Sequence, residues 1–152
     1  MPAAPPPFSV PEALGSDLAR LRDHWSALRR GNADMPFSDD FNPRDLPDLL
    51  DRVSLIDVFE KPMRFRFGLV GQQLTHQYAS PIAGRFLDEI EPANPLEYLS
   101  SQCSATMEGR VPTFYRHLAG PAQRSRVPRS YARLVLPMWG AQQMLLVGWE
   151  WM

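Results

Sequence analysis

Three histidines, one cysteine, a short acidic cluster and a glycine after a strand are the residues here whose types could do chemistry. His24, His76 and His117 lie far apart and lack metal-ligand spacing. Cys103 and His117 could form a nucleophile pair, but nothing supplies the third group that orients the base. Cys103 instead falls on an apolar helical stripe, where a cysteine behaves as a small buried residue. Asp88, Glu89 and Glu91 offer paired carboxylates for acid–base work, yet their clustering suits a solvated face better. In "RFRFGLVGQQL", Gly71 closes a strand without the further glycine and amphipathic helix of a dinucleotide site. No phosphate-binding or nucleophile-elbow motif occurs elsewhere. The expectation is a protein that is not an enzyme and holds no metal or cofactor.

These residues must be positioned by a single domain, since the chain has 152 residues. Its net charge of −1 gives no global attraction to nucleic acid or anionic membrane. One cysteine excludes an internal disulfide, and no leader-like or membrane-spanning apolar run is present, so the expected location is cytoplasmic. Residues 1–15 read as a disordered proline-rich tail, docked at most by Phe8 or Val10, and 16–152 as the domain.

A first helix is predicted over 16–31, with Ser16 or Asp17 as cap and Gly31 as stop. Leu18, Leu21, Trp25 and Leu28 form its single apolar stripe. Asn42 and Pro43 announce a short helical turn before Val53. "RVSLIDVFE" and "RFRFGLV" then alternate as a hairpin. Short helices follow Gly71, which is expected to act as a hinge with positive φ. A longer helix is predicted over 95–109, followed by the strands "VPTFYRHLA", "SYARLVLPMW" and "QQMLLVGWEWM". "GPAQRSRVPR" and "GA" are their turns. Helix, two strands, helices and three strands in this order predict an α+β fold with one antiparallel sheet.

The segments "HWSALRRGNADMPFSDDFNPRDLPDLLDRVSLIDVF", "RFRFGLVG" and "SPIAGRFLDEI" resemble, in order and spacing, the single-domain PAS family of alphaproteobacteria. The resemblance spans roughly residues 20 to 150. It departs from the family pattern at Gly68, at Gln72 and in "SPIAGR". It implies a five-stranded antiparallel sheet in order 2-1-5-4-3, helices over one face, and the N-terminal amphipathic helix on the other. It also implies a sensory or signalling module, without catalytic activity, that binds a small ligand or a partner protein. The alternative is a small cavity enzyme of the cone-shaped α+β kind, an isomerase or dehydratase. A haem would need a diagnostic neighbourhood around His76, and a flavin adduct an Asn-Cys-Arg-Phe context that Cys103 lacks.

On that fold the expected ligand-binding set is Phe67 and Leu69 on the second strand, Tyr78 on the roof, and Met107 on the long helix. Phe114 and Leu136 on later strands join it, with His76 and Arg116 as orienting polar groups. The final strand is apolar on both faces, so the sheet needs a second cover. Leu18, Leu21, Trp25, Leu28 and Trp149 are therefore expected to form a homodimer interface. A signalling protein is the other expected partner.

Overall fold

Apolar alternation builds the strands, and one antiparallel sheet collects all of them. The computed structural model describes residues 8–78, 80–119 and 130–152. The expected connector at 120–129 and residues 1–7 of the tail lie outside these. Among the described residues the sheet comprises β1 (Val53–Phe59), β2 (Arg64–Phe67), β3 (Thr113–His117), β4 (Tyr131–Met138) and β5 (Met144–Trp151). Its order is β2-β1-β5-β4-β3, the order that the resemblance implies. Three α-helices accompany it: α1 (Ser16–Ala27), α2 (Gln72–Tyr78) and α3 (Leu99–Gly109).

β5 runs down the centre between β1 and β4, pairing Ser54 with Val147 and Val135 with Val147 across its two edges. Leu145, Val147 and Trp149 face α2 and α3, in a core with Ile56, Phe65, Phe67, Leu74, Leu99 and Cys103. Leu146 faces the other way, into a core with Leu18, Leu21, Trp25, Leu134 and Leu136. A strand buried on both sides reads as a nearly continuous apolar run, which is what "MLLVGW" is.

The first helix covers the second face from within the same chain. Leu18, Leu21 and Trp25 are buried there, Leu28 packs at the margin, and the Trp25 Nε1–H donates to the Pro137 carbonyl at 2.8 Å. α1 sits so low on the sheet that a Cβ at Gly148 would lie 2.4 Å from a Leu21 methyl. The stripe expected to meet a second copy is thus spent on the chain's own sheet. Trp149, the fifth expected interface residue, lies on the opposite face, fully covered. Each fully buried Leu in this stripe contributes roughly 1.5–3 kcal/mol.

Local signals explain the remaining boundaries. Asn42 accepts the Arg44 N–H through its side chain at 3.0 Å and starts the turn Pro43–Asp45, as its type predicts. α1 has Gly15 as its N-cap, without a side-chain hydrogen bond, and ends at Ala27, short of the expected stop at Gly31. α3 starts at Leu99, four residues later than the pattern predicts, because Tyr98 takes the left-handed conformation at φ 60°. Gly71 has no positive φ. It is required by close approach: a Cβ there would stand 2.5 Å from the Asp51 carbonyl oxygen and 2.8 Å from that of Val53. Residues 8–15 form no helix or strand, but the Phe114 N–H donates to the Phe8 carbonyl at 2.9 Å and Val10 packs on the α1 core.

Candidate functional site

The sheet face under α2 and α3 is where a cavity was expected, and a guanidinium fills its centre. Arg133 on β4 is fully buried. Its Nε donates to Gln102 Oε1 at 2.6 Å, and its two terminal nitrogens to the carbonyls of Pro95 and Glu97 at 3.1 and 2.9 Å. Tyr115, Trp149 and Tyr131 stand round the cation with ring centroids 4.9, 5.4 and 5.9 Å from its central carbon. No carboxylate pairs with it among the described residues. Desolvation holds its pKa below the ordinary arginine value. The same dry surroundings push the Cys103 thiol up to about 12, which keeps it protonated at neutral pH. The Tyr131 hydroxyl donates to Asn94 Oδ1 at 2.8 Å and closes the end of this box.

The expected ligand set does not converge on one cavity. Phe67 is fully buried in the α2–α3 core, and Tyr78 packs against that core with its hydroxyl donating to the Glu91 carbonyl at 2.7 Å. Leu69, 36% exposed, and His76 both face out. Phe114 and Leu136 belong to the α1 core on the opposite face. In the register of β3 with β4, Tyr115 and Val135 point toward α3, so the expected pair is off by one residue of the two-residue period. Arg116 is exposed, its guanidinium lying over the Phe114 ring at 5.6 Å. Among the described residues, no group of three or more His, Cys, Asp or Glu could hold a metal.

Met107 alone of the set lines a cleft walled by methionines. A cleft of about 240 Å³ lies at one end of the sheet, lined by Met35, Met63, Met107 and Met138 together with Trp139, Pro137 and Gln143. Four separate segments supply the thioethers. Met35 comes from the linker after α1, Met63 from the β1–β2 turn, Met107 from the last turn of α3, and Met138 from the end of β4. Met35 and Met138 are buried, while Met63 is 44% exposed at the mouth.

The wall around Trp139 is firmly held. Its ring stacks on Phe37 at 4.7 Å, and Arg30 lies over the Phe37 ring at 4.5 Å while its guanidinium grips Asp40 twice at 2.7 Å. The Ser38 N–H donates to the Trp139 carbonyl at 2.8 Å, and the Trp139 N–H to that of Pro36 at 3.1 Å. Gly140 makes the turn at φ +131°. Gln142 donates to the Val58 carbonyl at 3.1 Å, which fixes the start of β5. Within this frame Gln143 Oε1 is buried and has no hydrogen-bond partner among the described residues. An orphaned acceptor of this kind costs about 1–3 kcal/mol.

Charge at the rim is predominantly negative. Glu60 and Glu108 are exposed lining residues with no ion pair among the described residues, and Arg110 stands 3.8 Å from the Asp34 carboxylate. A larger hollow of about 660 Å³ beside Phe8 and α3 opens widely to solvent over Ser100, Ser101 and Ser104. It encloses nothing.

Sequence reasoning passed over both of these features. Arg133 stands in "YARLVLPM", where a single charge inside an apolar strand was the signal of a buried cation. The methionines carry no joint signal, since only the fold brings 35, 63, 107 and 138 together. No family model matches the chain, and neither a curated protein nor a solved structure matches it. No described helix is long and apolar enough to cross a membrane.

Proposed function

We propose that this chain is a PAS-like sensory module that takes a small ligand in the methionine cleft, signals by contact with another protein and performs no catalysis. The observation that carries this reading is the cleft itself, walled by four methionines, Pro137 and Trp139, with Glu60, Glu108, Arg110 and Gln143 as its polar lining residues. Small-molecule sites have this make-up, apolar walls with a few placed polar groups. The strand order and the helices over one face support the PAS-like part. With its central position filled by Arg133, the module receives its ligand at the end of the sheet.

A route for the signal follows from the same residues. Pro137 lines the cleft, and its carbonyl holds the Trp25 indole of α1. Met35 leads back along the linker to the same helix. A ligand that displaces either wall therefore acts on the seating of α1, and a partner protein reads that helix.

The test is methyl NMR on protein carrying ¹³C-labelled methionine, titrated with a chemically diverse fragment library. The expected result is that some fragments move the signals of Met35, Met63, Met107 and Met138 while Met152 stays put. A library that moves none of the four overturns the reading.

A further inference from the structure

The methionines of the cleft offer a chemistry of their own, on the reading of this cleft as the site of a small ligand. We propose that the ligand is a soft monovalent metal ion, copper(I), held by the thioethers of Met35, Met63 and Met107.

The donor set selects the ion. Four of the chain's seven methionines line this one cleft, and among the described residues no histidine or cysteine lines it with them. Zinc sites are built from thiolate, imidazole and carboxylate, and calcium and magnesium take oxygen, so neutral thioethers suit none of these ions. A thioether is a soft donor, and soft donors select copper(I). Charge agrees with this choice. The cost of drying an ion grows with the square of its charge, so a monovalent ion enters a cleft walled by methionines more readily than a divalent one.

Access selects the ligands among the four. Met63 is 44% exposed at the mouth, Met107 is half-buried, and Met35 keeps 7% of its surface in solvent. Met138, 1% exposed, is wall and not ligand. Copper(I) has a filled d shell and imposes no geometry of its own, so donors from unrelated segments can serve it. Methionine is unbranched, with three rotatable bonds, and its sulfurs can close on an ion much smaller than the cleft's volume of about 240 Å³. Closure joins the linker after α1, the β1–β2 turn and the end of α3, so the ion bears on the seating of α1.

Silver(I) is the probe, because it has the charge and softness of copper(I) and does not change oxidation state. It is titrated into the full chain and into Cys103→Ala, since a thiol is the stronger soft ligand. Methionine methyl signals and native mass spectra are recorded. One ion should bind each chain, moving Met35, Met63 and Met107 together up to one equivalent while Met152 stays put, with or without Cys103. Copper(I), kept reduced by ascorbate in the absence of oxygen, should take the same place, and zinc(II) should not. Met63→Leu and Met107→Leu keep the apolar volume and remove one donor each. Each should weaken silver(I) by about tenfold or more, a loss that even a residue supporting a metal ligand can cause. Affinity should be the same from about pH 5 to about pH 8, because a thioether carries no proton to compete with the metal.

Methyl signals that silver(I) leaves in place overturn the copper(I) assignment, and the fragment titration decides separately whether the cleft takes an organic ligand. A shift that disappears in Cys103→Ala assigns the ion to the thiol and overturns it too. So does an affinity that is unchanged in both methionine variants, that falls with falling pH, or that zinc(II) matches.

Discussion

Replacing Arg133 with Met tests whether a buried charge with no carboxylate partner among the described residues holds the α2–α3 face together. The substitution keeps most of the side-chain length and removes the guanidinium. Three acceptors then lose their donor: Gln102 Oε1 and the carbonyls of Pro95 and Glu97. Gln102 Oε1 and the Pro95 carbonyl are left buried and unpaired at about 1–3 kcal/mol each, roughly 2–6 kcal/mol together, and the part-buried Glu97 carbonyl adds less. Against this stands the relief of a desolvated charge, of the order of several kcal/mol. The cation–π contacts with Tyr115, Trp149 and Tyr131 weigh on the other side at about 0.5–2 kcal/mol each. The balance is a net loss of about 3–5 kcal/mol, a large part of a small domain's stability. Urea melts followed by tryptophan fluorescence measure it, since Trp149 lies against the cation and stacks on Trp151. Arg133→Lys should rescue little, because a point-like ammonium cannot reach three acceptors in fork geometry. Adding Gln102→Leu to Arg133→Met should cost at least 1 kcal/mol less than the two single losses added together, because the pair shares one bond. An Arg133→Met protein as stable as the parent would refute the account, for the charge would then be a burden that the fold merely tolerates.

Other consequences can be checked with simpler assays. With its thiol pushed up to about 12, Cys103 should carry roughly one thiolate in ten thousand at pH 8 and resist Ellman's reagent until urea unfolds the chain; prompt stoichiometric labelling of native protein would contradict this. Trp25→Ala should lower stability by about 3–5 kcal/mol, since it empties a buried site and orphans the Pro137 carbonyl; a variant that keeps the parent's urea midpoint while light scattering shows a changed oligomeric state would return Trp25 to the interface role. Partial burial, with Asp17 adding to it, holds the Glu150 carboxyl above its ordinary 4.5. The folded chain then binds that proton more tightly than the unfolded one, so stability falls as pH rises from about 4.5 through the folded value. Glu150→Gln should therefore be the more stable protein at pH 7, with the gap closing by pH 4, and parallel pH profiles would sink the argument.

What the sequence disclosed and what it withheld divide along a physical line. Patterns with a local cause were legible: the alternation in "RFRF", the Asn42–Pro43 turn start, and the stripe of Leu18, Leu21 and Trp25 all depend on neighbours within a few residues. The place of Cys103 inside a helix stripe was legible for the same reason. Facing was harder. Phe114 and Leu136 are apolar and buried as expected, yet one step of strand parity puts them under α1 and leaves the α3 side to Tyr115 and Val135. No local signal sets that parity in β4, because all eight of its residues are buried and either face accepts an apolar side chain.

Gly71 shows the same limit from another direction. The sequence marks it as a special backbone position, and the reason is a carbonyl 2.5 Å from where a Cβ would sit, contributed by Asp51 from a distant part of the chain. Arg133 and the methionine cleft lie furthest along this line. A guanidinium inside a strand is tolerated only if carbonyls from residues 95 and 97 come to meet it, and the sequence pattern assigns those residues to the long helix, which in the structure starts only at Leu99. Four methionines become a site only when a linker, a hairpin turn, a helix end and a strand end arrive together. The proposed site rests on convergence of unlike segments, so reading one segment at a time finds the walls of the cleft but not the cleft. Met107 was within reach because its helix faces the core; Gln143 was not, because an orphaned acceptor is defined by what surrounds it.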